Sequence, residues 1–295
     1  MKSLKKFSLA TLAASVLCVA PVISHAHGET EIRFLGQVNG QPFECGKSYS
    51  NVGTTNSTIM PSDFRMFISD VKLIDANGKT VPLELTQDKT WQFENVALID
   101  FESGASHCRN GTGPLNQSVR GTVPHGQYKG IEFTLGVPFE LNHGNPTVAP
   151  APLSSTAMFW NWQGGYKFLK FDAATTGRPS PTQPADPQGG GNASGFSVHL
   201  GSTACASDSK TTPPSSCKNP NRVTVRFDSF DPSKDIVIAD IGAVLANANV
   251  DVNTPKTAAG CMSFPNDPDC PPIMKAFGLP YDGQPGGVQQ FFRKQ

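Results

Sequence analysis

Two histidines, two of the three tryptophans and one methionine lie in one stretch of this chain. Between Asn142 and Leu200 lie Asn142-His143, then Met158-Phe159-Trp160-Asn161-Trp162-Gln163-Gly164-Gly165-Tyr166-Lys167-Phe168, then Val198-His199-Leu200-Gly201-Ser202. Imidazole nitrogen is a good ligand for Cu and Zn, and thioether sulfur favours Cu(I), so a soft transition metal is the chemistry these residue types could support. Four further histidines lie elsewhere, one of them His25. His27 is near the start, His107 is beside Cys108 in a Gly/Ser-rich loop, and His125 is in a Pro-x-Gly turn; the last two are predicted to be exposed loop residues. HExxH, GxSxG and GxxxxGK[ST] do not occur, which removes the familiar hydrolase and phosphate-loop chemistries.

Plainer readings stand beside the metal. Trp160 and Trp162 are two apart, so on a strand they share a face. Such a pair commonly serves packing. With Tyr166 it could also form a stacking platform for a sugar or peptide. A strand histidine such as His199 is commonly a hydrogen-bonded structural residue.

The N-terminus points to export. Lys2, Lys5 and Lys6 precede a mostly apolar run from Phe7 to Ile23, and Ser24-His25-Ala26 is a small-x-small cleavage site. Residues 1–26 therefore read as a secretory signal peptide, with a periplasmic or secreted mature chain from His27. No later run is apolar and long enough to span a bilayer. Lys plus Arg and Asp plus Glu are both 24. Losing three leader lysines leaves 21 against 24, net about −3, which excludes the basic surface a nucleic-acid partner demands. Six cysteines remain after Cys18 leaves with the leader. An even count in an exported chain reads as disulfides. Local pairing suggests Cys205–Cys217 and Cys261–Cys270, with Cys45–Cys108 as the long-range staple.

The elements that must position these residues are strands. Apolar and polar residues alternate at Ile32/Phe34, Met66/Ile68, Ile131/Phe133/Leu135, Phe168/Lys170, Phe196/Val198/Leu200 and Val223/Val225/Phe227, the half-buried strand period. Asp75-Ala76-Asn77-Gly78 is a hairpin signal with Val81–Leu85 as its return strand. Asp235–Leu245 reads as a strand passing into a helical turn, and Pro271–Phe277 as a short helix. Eight to ten strands with little helix predict an all-β fold, a β-sandwich or flattened antiparallel barrel with long loops. Those loops are Asn142–Thr156, Gly177–Gly195 and Cys205–Cys217. The β domain is expected over residues 27–252, followed by a tail over 253–295 that carries the Cys261/Cys270 pair and folds back.

Several strings in order carry a resemblance. Phe43-Glu44-Cys45-Gly46, Asp63-Phe64-Arg65-Met66-Phe67-Ile68-Ser69-Asp70-Val71, Gly136-Val137-Pro138-Phe139, Asn142-His143, Met158 to Phe168, and His199-Leu200-Gly201-Ser202 with Cys205 resemble the MbnP-like family over roughly residues 30 to 250. Gly260-Cys261-Met262-Ser263 and Asp267-Pro268-Asp269-Cys270 are similar to the tail of many members. The family comprises exported copper-binding proteins of methanobactin operons and related copper neighbourhoods, also called metallo-mystery-pair four-Cys proteins. The resemblance implies that the first Trp of the WxW motif, here Trp160, becomes kynurenine through a partner diheme cytochrome c of the MauG/peroxidase type. It also implies that copper, as Cu(I), is bound by the new aryl amine with two imidazoles, His143 and His199 by position. Met158, Trp162 and Tyr166 would neighbour that site. The role implied is copper homeostasis, without an enzymatic activity of the chain's own. The Gly177–Gly195 insert departs from the family pattern. Two competitors remain: a copper oxidase with a histidine brace built on His27, and a Trp/Tyr-platform binding module.

Overall fold

The computed structural model describes residues 27–108, 111–177 and 195–295. Two sheets pack face to face, a β-sandwich without barrel closure among the described residues. The smaller sheet runs in the order Phe292–Lys294, Val237–Asp240, His27–Val38, Ser118–Pro124, Glu84–Leu85. The larger runs Val223–Phe227, Tyr128–Leu135, Ser57–Asp75, Gly165–Thr175, Gly195–Gly201, Gly260–Cys261, with shorter strands paired along Ser57–Asp75.

Ser57–Asp75 is the hub. Its first half pairs with Gly165–Thr175 and its second half with Tyr128–Leu135. It bends at Asp70, whose φ is 53°, where the register with Tyr128–Leu135 slips between Glu132 and Thr134; an extra residue facing one partner residue is a β-bulge. The Asp75–Gly78 hairpin forms as expected, with Gly78 at φ 85° and Asp75 Oδ1 accepting from the Asn77 and Lys79 amides. Its return strand is split, however. Thr80–Pro82 pairs back onto the hub, and Glu84–Leu85 crosses to the other sheet. Pro82 has no N–H to continue a ladder, which fits a strand ending there.

The inner faces supply the core. Phe64 meets Phe101, Phe171 and Phe291, and Phe133 meets Phe34 and Phe292, with centroids 4.9–6.3 Å apart. Edge-to-face aromatic pairs add about 0.5–1.5 kcal/mol each beyond area burial. The segment after residue 252 is built into both sheets. Gly260–Cys261 lies parallel to Gly195–Gly201, and Phe292–Lys294 pairs with Val237–Asp240. Asp240 ends that strand and caps the Ile241–Leu245 helix by accepting from Gly242 N; the Pro271–Ala276 helix also forms. The three disulfides are Cys45–Cys108, Cys205–Cys217 and Cys261–Cys270, the pairing that spacing suggested.

The outer face of the larger sheet is what positions the chemistry. Phe196, Val198 and Leu200 enter the core, so Ser197, His199 and Gly201 point the other way. Register places Lys170 opposite His199 and Arg65, and Asp172 opposite Ser197 and Asp63. Side chains paired across strands share a face, so these charges form one layer. Parts of the 101–112, 156–164 and 262–264 segments lie over it: Glu102 approaches Arg65, Ala157 O accepts from Lys167 Nζ, and Ser263 Oγ donates to His199 O.

Candidate metal centre

His199 is buried in this outer layer and its two ring nitrogens are unlike. Nε2 lies 2.8 Å from Asp172 Oδ1. A carboxylate accepts, so Nε2 carries the hydrogen and a neutral ring leaves its lone pair on Nδ1. Nδ1 is buried and has no hydrogen-bond partner. Asp172 is itself held, by Ser197 Oγ at 2.6 Å and Lys170 Nζ at 2.9 Å. Burial works against charge on Asp172, but the His199 ring and the Lys170 ammonium outweigh it and hold the carboxyl well below its ordinary range. Lys170 also pairs with Asp63, which forms a two-point ion pair with Arg65 at 2.9 and 2.5 Å. Carboxylate on one imidazole nitrogen, with the other free, is the arrangement that orients a metal-binding histidine.

Trp160 lies on the same face of the sheet, over Gly201. It sits in the three-residue strand Phe159–Asn161, and its six-membered ring crowds Gly201: a Cβ there would come within 2.5 Å of Trp160 Cζ3. Gly201 is two residues from His199 on the same face, about 7 Å along an extended strand. Gly201 is thus the position whose missing side chain makes room for the indole. Phe264 packs on the indole at 5.5 Å and 31°. Trp160 Nε1 is buried with no acceptor. An unsatisfied buried donor costs about 1–3 kcal/mol, so two orphaned ring nitrogens on one covered sheet face mark a place where chemistry is still to be supplied.

His143 occupies a different setting. Its Nδ1 lies 3.1 Å from the Trp162 carbonyl, and its Nε2 lies 3.1 Å from Asn142 Nδ2. The carbonyl can accept but not donate, so Nδ1 carries the hydrogen. Asn142 Oδ1 accepts from Tyr166 N, which orients its amide nitrogen toward the Nε2 lone pair. Burial pushes the His143 pKa down, and the Trp162 carbonyl opposes that shift. The nearest sulfur is Cys217 Sγ, 3.6 Å from Nε2. The path from His143 to His199 runs through Asn142, which reaches Ser202 Oγ at 3.4 Å, and back along the strand. The Trp160–Trp162 segment therefore meets His143 at one end, through the Trp162 carbonyl, and Gly201 of the His199 strand at the other, while the two histidines have separate neighbours.

Other expectations change. Trp162 does not share a strand face with Trp160, because the strand ends at Asn161 and Trp162 begins the turn to Gly165; Asn161 Oδ1 accepts from Gly164 N and closes that turn. Tyr166 is fully buried and packs against Phe67 and Phe159, so it cannot serve an exposed platform. Its hydroxyl donates to Leu153 O. Met158 is likewise wholly within the apolar core. His107 and His125 are exposed as expected. The backbone of His27 opens its strand opposite Pro124. Asp172, Lys170, Asp63, Arg65, Ser263 and Phe264 were missed. The period-two spacing of Lys170/Asp172 and Asp63/Arg65 was the available signal; the closeness of Phe264 was not readable from spacing.

The chain matches the MbnP family over residues 27–263 and belongs to it. Among solved structures, MbnP from Methylosinus trichosporium superposes with a TM-score of 0.77 at 31% sequence identity, covering 91% of this chain and 98% of that one. No curated protein matches.

Proposed function

We propose that this is an exported copper-binding protein of copper homeostasis, holding Cu(I) between His199 Nδ1 and the amine of residue 160 after its conversion to kynurenine by a partner diheme cytochrome c. The observation that carries the reading is the buried, unpartnered His199 Nδ1, oriented by Asp172, two residues along the strand from Gly201, which the ring of Trp160 covers with its own nitrogen also unpartnered. Family membership supports copper as the metal. Indole nitrogen has no lone pair free for a metal, so unmodified Trp160 offers nothing there. In the conversion the indole C2–C3 bond breaks with one oxygen going to each carbon. That is a four-electron oxidation, drawn from two peroxide equivalents through the cytochrome. Hydrolysis then releases C2 as formate and leaves an aryl ketone and an aryl amine. The net change is one carbon lost and one oxygen gained, about 4 Da. Two nitrogen donors in a buried setting suit a low-coordinate soft ion. Copper is cargo in this reading, and the chain is a binding protein and the substrate of a modifying enzyme.

Export agrees with the three disulfides, which belong to oxidising compartments. Among the described residues no helix is long and apolar enough to cross a membrane. The test is to express the mature chain alone and with its cytochrome, then map peptides and titrate copper. Co-expressed protein carries the mass gain on Trp160 and on neither Trp91 nor Trp162, and binds copper; the chain alone lacks both. Tight copper binding at His199 with Trp160 unmodified overturns the kynurenine part of the reading.

A further inference from the structure

The Cys205–Cys217 disulfide lies beside an imidazole whose lone pair faces it. The two cysteines are directly opposed in a short ribbon, Thr203–Cys205 against Cys217–Asn219. His143 Nε2 is 3.6 Å from Cys217 Sγ. The two sulfurs and a ring nitrogen of His143 all lie within 4.8 Å of one another. His143 is fixed from behind by the Trp162 carbonyl, so Nε2, not Nδ1, is presented. Asn142 Nδ2 holds that lone pair at 3.1 Å but has Ser202 Oγ at 3.4 Å as an alternative acceptor. The Asn142 amide can therefore release the ring and still be satisfied.

We infer that Cys205, Cys217 and His143 form a second soft-metal site, masked while the disulfide is closed and opened by its two-electron reduction. A dithiol of the thioredoxin class supplies the electrons: the S–S bond breaks, the reductant becomes a disulfide, and each cysteine gains a hydrogen. Binding of Cu(I) or Zn(II) then displaces both thiol protons and places two thiolates and one imidazole on the ion, a donor set both metals accept. Reductant can reach this bridge: Cys217 is half-buried at the base of a mostly exposed 206–215 loop, as Cys45 is in the Cys45–Cys108 bridge, whereas Cys108, Cys261 and Cys270 are fully buried.

The experiment uses the mature chain carrying His199→Ala, so that loss of the centre proposed above does not affect the outcome. The protein is partly reduced with dithiothreitol, desalted without oxygen and titrated with Co(II), with alkylation mapping of free thiols. Expected are two thiols at Cys205 and Cys217, one Co(II) bound with thiolate-to-metal charge transfer, and X-ray absorption showing two sulfurs and at least one nitrogen around the ion. The oxidised chain shows none of these. His143→Ala frees the same thiols and binds at least tenfold more weakly. Should that variant misfold, the sulfur and nitrogen count in the His143-containing chain decides alone. A reduced chain that binds no Co(II), a shell without nitrogen, or an unchanged affinity in a folded His143→Ala variant overturns the inference.

Discussion

Asp172 is the residue that turns His199 from a structural imidazole into a directed donor. Its carboxylate occupies Nε2 at 2.8 Å and leaves Nδ1 as the nitrogen with a lone pair. Asp172→Asn removes the charge while keeping the size, and the amide can donate as well as accept, so the tautomer preference is lost. Copper affinity of the modified protein is expected to fall about 10- to 100-fold, the usual effect of removing a partner that orients a ligand. Chelator competition measures the affinity, and ring nitrogen shifts of the metal-free protein measure the tautomer. An unchanged tautomer would contradict the assignment. His199→Ala is expected to abolish this centre. His143→Ala is expected to leave it within about threefold in the oxidised protein, because both His143 nitrogens already have protein partners. Equal losses from both alanine variants would instead place the two imidazoles on one ion, as the family resemblance implied.

At the scale of elements, the site depends on a strand that is bare where the indole lies. Gly201 ends Gly195–Gly201, and a Cβ there meets Trp160 Cζ3 at 2.5 Å and Tyr166 O at 2.9 Å. The backbone oxygen cannot swing away like a side chain. Gly201→Ala is therefore expected to cost about 1–3 kcal/mol, as overpacking does, and to displace the indole. Urea denaturation and the yield of kynurenine at residue 160 check both effects; a variant with wild-type stability and full conversion would show that the close approach is not required. This kind of dependence was hardly legible in the sequence. Alternation located the strands carrying Phe171, Val198 and Phe133 because one face of each enters the core. The apolar run Asp235–Leu245 announced a strand passing into a helical turn, and Pro271 announced the short helix. Alternation could not say that the opposite face, with Asp63, Arg65, Lys170, Asp172 and His199, is covered by a further layer. Polar alternation reads as solvent exposure, and the covering segments come from residues far away in the chain. Trp160 and Trp162 failed as a same-face pair for a local reason: Asn161 turns the chain through its side-chain bond to Gly164 N.

For the whole molecule, the covered polar layer holds one carboxyl group, Asp100, whose contribution to stability depends on pH in a direction opposite to that of an ordinary paired carboxylate. Asp100 is 1% exposed and stands across the strand pair from Arg65. Burial, and then the neighbouring Glu102 charge, push its pKa up to about 8, against about 3.9 in an unfolded chain. Between these values the folded state holds a proton that the unfolded state has released. The linkage slope is therefore negative. The contribution is fully present below pH of about 4, is lost as pH rises toward 8, and is flat beyond. Asp172, held well below its ordinary range, has the opposite sign, and its contribution is lost as pH falls through the acid range. Raw stability curves therefore mix the two, and a difference between variants is needed. Asp100→Asn removes the titration while keeping the shape. Its unfolding free energy relative to the wild type is expected to rise between pH 5 and 8, by at most about 1.4 kcal/mol per pH unit, and to level off above. Urea midpoints of both proteins at pH 5, 7 and 9, with disulfides intact, measure it. A difference that stays constant across these three values would mean that Asp100 is ionised in the folded protein, compensated by Arg65, and the polar layer would then be a charge-paired network throughout.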